Sequence, residues 1–157
     1  MAVGIQGMDD DLYREIILDH YRNPRHRGLV ANADIALEAS NPLCGDELNL
    51  TIRTRDGTVD AIGFTGQGCS ISQASASMMC ESAAGRTTAD LAALGHRFRA
   101  MLLEQADPDD LGDLEALQGV QQYPVRIKCA ILPWNALLEG LGERQIDGDG
   151  TEVHRHD

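Results

Sequence analysis

Three cysteines and one aspartate are the residues of this chain that are best suited to chemistry. They are Cys44, Asp46, Cys69 and Cys129, and each lies where the chain can turn sharply or where a helix is about to begin. Three thiolates and one carboxylate form a four-ligand set that suits zinc or iron. If the fold brings the four side chains together, we expect the protein to carry out metal or sulfur chemistry.

The local sequence around each of these residues is compatible with a common site. Gly45 separates Cys44 from Asp46 and permits a tight turn, so that both side chains can face one point. Cys69 follows a glycine-rich loop, and Cys129 lies near a predicted helix N-terminus, where the helix dipole favours a thiolate. The spacing does not form Cys-x-x-Cys pairs. It therefore leaves two interpretations open, one shared metal site or separate, buried and unreactive cysteines.

The fourth cysteine, Cys80, is expected to have a different role. It follows Cys69 mostly along a predicted helix. At a rise of about 1.5 Å per residue, the two residues should be roughly 16 Å apart, which is too far for a shared ion. We therefore predict that Cys80 belongs to the hydrophobic core.

The first half of the chain is expected to form a helix and a sheet. Residues 9–23 carry apolar side chains at helical spacing, and Asn23-Pro24 ends the pattern because proline disfavours helical geometry in the residue before it. Apolar and polar side chains alternate over residues 33–65, with a turn signal at Asp56-Gly57. This pattern predicts a three-stranded antiparallel meander.

The second half of the chain is expected to be helical. The predicted helices cover residues 70–84 and 87–105, a short stretch after the acidic turn 106–113, and residues 123–140, where Pro133 should introduce a kink. Residues 143–157 are polar and contain glycine, which is typical of a flexible tail. The pattern thus predicts a small sheet followed by helices, with one domain over residues 1–142 and a polar tail over residues 143–157.

Composition restricts the classes of partner. The chain has 157 residues and a net charge of −12, which repels nucleic acid and anionic lipid and favours basic protein partners. It has no apolar run of the ~20 residues that a membrane span requires, and its N-terminus does not resemble a secretory signal. We therefore expect a cytoplasmic protein, with no nucleic acid and no membrane among its partners, whose four cysteines stay reduced.

Four sequence motifs occur in the same order as in a known family. They are Ile-Ile-Leu-Asp-His-Tyr-Arg-Asn-Pro (residues 16–24), Asn-Pro-Leu-Cys-Gly-Asp (41–46), Gly-Gln-Gly-Cys-Ser-Ile-Ser-Gln-Ala-Ser (66–75) and Arg-Ile-Lys-Cys-Ala (126–130). Through them, the chain from about residue 10 to residue 141 resembles the IscU/NifU-type iron–sulfur cluster assembly proteins. Lys128 stands where the scaffold members usually have a histidine, and the segment between Cys69 and Cys129 is longer than theirs. Both features resemble the SufU branch of the family.

The resemblance implies an α+β fold, with a three-stranded antiparallel sheet covered by helices. It also implies zinc bound by Cys44, Asp46, Cys69 and Cys129, and a SufS-type cysteine desulfurase as partner. A histidine of that partner would replace Asp46 on the zinc, and Cys44 would then take the persulfide sulfur. Arg126 would steady the anionic persulfide or dock the partner, unless it is an ordinary surface arginine.

Three functions are compatible with this resemblance. The first is a zinc-dependent sulfur acceptor, a sulfurtransferase that feeds iron–sulfur cluster assembly in the SUF system. The second is a scaffold on which Cys44, Cys69 and Cys129 hold a transient [2Fe–2S] cluster or iron, which then passes to downstream SUF assembly proteins or apo iron–sulfur proteins. The third is a structural zinc module that serves only to bind other proteins.

Overall fold

A computed structural model describes residues 2–41, 45–108, 110–142 and 152–155, with side chains for residues 12–41, 45–108 and 110–142. Its sheet contains the predicted meander, which is thereby confirmed: β1 (Ile35–Asn41), β2 (Asp46–Arg55) and β3 (Thr58–Gln67) are paired antiparallel. The hairpin between β2 and β3 turns at Asp56 and Gly57, which have φ angles of 54° and 76°. A type I′ turn requires positive φ at both central residues. This turn type is favoured in hairpins because its backbone twist matches that of the two strands.

A fourth strand, which the sequence pattern did not predict, extends the sheet. It is β4 (Glu152–Arg155), which pairs antiparallel with β1 and gives the strand order β3-β2-β1-β4. Pairing satisfies the backbone groups that β1 would otherwise expose as an edge strand. β4 lies within residues 143–157, for which we predict a flexible tail; the other residues of that segment lie outside the described part of the chain. The division of the chain at residue 142 stays a prediction.

The helices follow the predicted pattern, with two differences. They are α1 (Ala2–Arg22), α2 (Ser70–Ala83), α3 (Thr88–Leu103), a 3₁₀ helix (Gly112–Gln122) and α4 (Pro124–Gly140). The first helix begins at Ala2, seven residues before the predicted start at residue 9. The short helix after the acidic turn has 3₁₀ geometry, which fits the three-residue spacing of its large buried side chains Leu114, Leu117 and Val120. Helix α4 runs through Pro133 as one element.

The core lies between one face of the sheet and the helices. Every second residue of β2 is buried from Asp46 to Ile52, as expected of a sheet with one covered face. Helix α4 packs closely on β1, since a Cβ atom at Gly140 would lie 2.9 Å from Ile35 and 3.0 Å from Leu37. Cys80 is fully buried in this core, which confirms its predicted position. In the part of the chain that the structure describes, no helix has both the length and the apolar character needed to cross a membrane.

Candidate metal and sulfur site

Asp46 opens strand β2 and is almost completely buried. Gly45 precedes it with a φ of 73°, a left-handed conformation that glycine adopts without strain. The Oδ1 atom of Asp46 accepts a hydrogen bond of 3.0 Å from the backbone N–H of Cys69. This bond ties the start of β2 to the start of α2, 23 residues further along the chain.

Cys69 is the N-cap residue of α2, with extended φ and ψ angles of −73° and 169°. Its Sγ atom accepts a hydrogen bond from the N–H of Ser72 at 3.5 Å, as a capping side chain does. The hydroxyl of Ser72 donates in turn to the carbonyl of Cys69 at 3.1 Å. The positive end of the helix dipole and the free amides of the first turn therefore lie next to the Cys69 sulfur.

Cys129 lies in the second turn of α4 and is almost fully buried. Its thiol is 3.5 Å from the carbonyl oxygen of Val125, one turn earlier in the helix. Burial raises the pKa of the Cys129 thiol. The neighbouring Asp46 and Cys69 raise it further, because both stabilise the protonated thiol by hydrogen bonding and repel the thiolate. The helix dipole alone therefore does not favour a thiolate at Cys129, contrary to the prediction from sequence, and the thiolate form requires a compensating positive charge.

The fold brings three of the four predicted ligands together. One ligand atom each of Asp46, Cys69 and Cys129 can be chosen so that all three lie within 4.8 Å of one another. Two ligands of a single zinc ion are roughly 3.3–3.8 Å apart, from the usual bond lengths and tetrahedral angles. The three side chains are therefore within about 1 Å of the spacing that one shared ion requires.

An unsatisfied oxygen supports the fit of a metal at this position. The Oδ2 atom of Asp46 is buried and has no hydrogen-bond partner among the described residues, and an unpaired buried carboxylate oxygen is costly. Gly68 leaves room for Asp46, because a Cβ atom at Gly68 would lie 2.4 Å from Asp46 Oδ1 and 2.6 Å from Ser72 Oγ. The two soft sulfurs of Cys69 and Cys129, together with the unpaired oxygen of Asp46, form a donor set that suits zinc.

The structure does not test the predicted roles of the two remaining site residues. Cys44 lies outside the described residues, so its assignment as nucleophile and fourth ligand stays a prediction. Arg126 is exposed in the first turn of α4, one turn before Cys129, and its role also stays a prediction. Sequence reasoning noted the glycine-rich loop before Cys69 but did not predict that Gly68 makes room for Asp46 or that Ser72 supports Cys69.

Comparison with known proteins agrees with this architecture. The profile of the family described as NifU-like N terminal domain matches residues 12–130. The zinc-dependent sulfurtransferase SufU of Bacillus subtilis (strain 168) is 45% identical over 138 residues, which cover 87% of this chain and 93% of that protein. The iron–sulfur cluster assembly scaffold protein IscU of Streptococcus pyogenes serotype M1 is 39% identical over 132 residues, covering 83% and 82% of the two chains.

A solved structure shows the same fold. The crystal structure of FiSufU from Fervidobacterium islandicum AW-1 superposes with a TM-score of 0.77 at 31% identity, over 81% of this chain and 94% of that one. The region that the family profile matches, residues 12–130, contains the whole meander and the three converging ligands. Sequence and fold together show that the chain belongs to the NifU-like N-terminal domain family, which includes the IscU and SufU proteins.

Proposed function

We propose that this protein is a zinc-dependent sulfur acceptor that takes persulfide sulfur from a SufS-type cysteine desulfurase and feeds it to iron–sulfur cluster assembly. The observation that carries the proposal is the convergence of Asp46, Cys69 and Cys129 around an unpaired carboxylate oxygen. The 45% identity to a protein named as a zinc-dependent sulfurtransferase supports it. We place this activity in the cytoplasm, where thiols stay reduced.

Asp46, Cys69 and Cys129 would hold the zinc ion, with Cys44 as the fourth ligand. When bound, the ion would supply positive charge that keeps the thiols deprotonated. Asp46 contributes the only hard oxygen donor of this set, so it is the ligand that another group could replace with least cost. The bond from the Cys69 N–H holds Asp46 in place when no partner is bound.

Cys44 would act as the sulfur acceptor. Its thiolate attacks the outer sulfur of the persulfide on the desulfurase and forms a new S–S bond. The S–S bond of the partner breaks at the same time, and the partner cysteine leaves as a thiolate with the electron pair. Cys44 then carries the persulfide, without an added oxidant or reductant.

Arg126 would contribute from the adjacent surface. It is exposed in the first turn of α4, between the exposed side chain of Val125 and the half-buried Ile127. A guanidinium can bind an anionic persulfide or a carboxylate of the docking partner. We assign Arg126 this electrostatic role in sulfur transfer, beside the ligand and nucleophile roles of the cysteines.

Desulfurase turnover tests the proposal. We expect a SufS-type desulfurase to turn over faster when the wild-type protein is present, and Cys44→Ala to reduce turnover to the level of the desulfurase alone. Cys80→Ala is the matched control, since Cys80 is a buried core thiol away from the site. Equal turnover without protein, with wild type and with Cys44→Ala would reject the proposal. Stimulation that survives Asp46→Ala would instead indicate a structural zinc module.

A [2Fe–2S] scaffold is the second candidate function, and the 39% identity to an IscU scaffold protein favours it. Anaerobic reconstitution with iron and sulfide separates the two functions. A stable cluster on Cys44, Cys69 and Cys129 that passes to an apo-ferredoxin would support the scaffold. If iron does not displace the bound zinc, the result would support our proposal of sulfur transfer to downstream SUF proteins.

A further inference from the structure

A second group of metal-binding side chains lies between α1, α2 and the 3₁₀ helix. Its members are His20, Glu81 and Asp113, and one ligand atom of each can be chosen so that all three lie within 4.8 Å of one another. Glu81 is more than three turns beyond Cys69 along α2, a distance of about 18 Å at a rise of 1.5 Å per residue. The group is therefore separate from the cysteine site.

The imidazole of His20 is held in a fixed orientation. The side chain is 2% exposed, and its Nδ1 atom is 2.8 Å from the hydroxyl oxygen of Ser77. The backbone N–H of Arg25 donates to the same hydroxyl oxygen, also at 2.8 Å. A second partner that fixes the ring through its other nitrogen is characteristic of histidines that bind metals. Burial and the charge of Arg25 lower the pKa of His20 by more than the carboxylates of Glu81 and Asp113 raise it, so the neutral form that can act as a ligand prevails at pH 7.

The distances around Nε2 correspond to a gap of the size of a cation. Nε2 is 3.8 Å from Glu81 Oε1 and 3.7 Å from Asp113 Oδ2. Both distances are too long for hydrogen bonds. Nitrogen and oxygen ligands of one metal ion at about 2.0–2.2 Å are roughly 3.3–3.7 Å apart, depending on the bond angle. The three atoms need only a small movement to bind the same ion.

The surroundings of the group also favour a cation. Glu81 and Asp113 are half exposed and line an open cleft together with Asp110, which gives an ion a path of entry. The guanidinium of Arg25 is near, with its Nε atom 3.7 Å from the other oxygen of Glu81. Asp19 balances this positive charge through a 2.6 Å contact with Arg25 Nη2. The Oε1 atom of Glu81 and the carboxylate of Asp113 remain directed toward His20.

We propose that His20, Glu81 and Asp113 form a second metal site, which takes a divalent first-row transition metal ion through one imidazole and two carboxylates. Water completes the coordination on the open side of the cleft. This donor set is harder than the thiolates of the first site, so it suits Fe²⁺, Mn²⁺, Co²⁺ or Zn²⁺ with less preference for soft ions. The bound ion joins the 3₁₀ helix to α1 and α2.

Cobalt titration of the zinc-saturated full-length chain tests this site. With one equivalent of zinc already bound, Co²⁺ should bind as a second equivalent with the d–d absorption of nitrogen and oxygen ligands and without thiolate charge transfer. Glu81→Gln and Asp113→Asn should each weaken this binding about tenfold or more. Both residues are half exposed, so the fold should tolerate these changes. Asp110→Asn is the matched control: it removes a negative charge from the same cleft but should leave the affinity unchanged.

Three results would overturn the proposal. They are the absence of a second equivalent of cobalt, cobalt bands that show thiolate coordination only, and equal weakening by Asp110→Asn and Asp113→Asn, which would indicate diffuse attraction by acidic groups. Each result concerns the binding of cobalt and not the transfer of sulfur. The proposed sulfur transfer is tested separately by desulfurase turnover, so the two proposals can fail independently.

Discussion

At the scale of single residues, the candidate site depends on how Asp46 is held. Its Oδ1 atom accepts a hydrogen bond from the backbone N–H of Cys69. Its Oδ2 atom is buried and has no hydrogen-bond partner among the described residues. One oxygen thus fixes the side chain while the other is left for a ligand. The missing side chain of Gly68 is what permits this arrangement, since a methyl group there would overlap Asp46 Oδ1.

We predict that Gly68→Ala lowers the zinc affinity of the protein about 10–100-fold, which is the usual effect of disturbing the groups that orient a metal ligand. The added Cβ atom, at 2.4 Å from Asp46 Oδ1 and 2.6 Å from Ser72 Oγ, would force both side chains to move. Competition with a chromophoric chelator measures the affinity. Gly119→Ala is the control, because Gly119 has no atom within 4 Å of the added Cβ among the described residues and has no positive φ. Equal affinities for the two variants would show that Asp46 can be displaced without loss of zinc.

At the scale of elements, local sequence patterns predicted most of the helices and the meander. The hairpin at Asp56-Gly57 has a turn signal that depends on neighbouring residues only. The pairing of β4 with β1 was not predictable in this way, because it joins residues more than a hundred positions apart. The four ligands were candidates from residue type, but their spacing alone left open whether they meet. The argument for a shared site came from the four motifs that occur in the same order in the IscU/NifU-type proteins.

The contact of His20 with Ser77 illustrates the same limit. Ser77 lies 57 residues further along the chain, and nothing in the local sequence of α1 marks His20 as buried. In the structure, His20 joins α1 to α2 and faces the 3₁₀ helix through Asp113. Its ionisation should therefore affect how these three elements hold together.

We predict that the metal-free protein loses stability as the pH falls below about 6.5, the ordinary pKa of histidine. Burial lowers the pKa of His20 in the folded chain, so between the two pKa values the unfolded chain binds more protons. The free energy of unfolding is then highest above pH 6.5 and decreases on acidification. Asp19 and Asp60, whose pKa values are lowered by hydrogen bonds to arginines, lose their contributions only below their ordinary value of 3.8.

Thermal melting between pH 7.5 and 5 measures this dependence, in the presence of a chelator so that metal binding does not contribute. His20→Gln is the comparison, since glutamine keeps a polar side chain but does not titrate. We expect the melting temperature of the variant to change less with pH than that of the wild type. Parallel curves for the two proteins would assign the acid sensitivity to other groups.

At the scale of the whole molecule, the candidate metal site joins elements from three distant parts of the chain. Asp46 opens β2, Cys69 caps α2 and Cys129 lies in α4. The protein already has a net charge of −12, and deprotonated ligands add to the repulsion at this point. A divalent cation relieves that repulsion only where the three elements are folded together, so metal binding and folding should be coupled.

We therefore predict that removing zinc with a chelator lowers the melting temperature of the wild-type protein. A ligand present at 100 times its dissociation constant stabilises the folded state by about 2.7 kcal/mol. In a domain of this size, 1 kcal/mol corresponds to about 2–4 °C, so the expected decrease is about 5–10 °C.

Asp46→Ala should show a much smaller decrease, because it lacks the oxygen ligand. Cys80→Ala should melt at a lower temperature because of its core cavity, yet keep the full response to the chelator. If wild type and Asp46→Ala respond equally, the ion that stabilises the fold is not held by Asp46, and the coupling between β2, α2 and α4 has another origin.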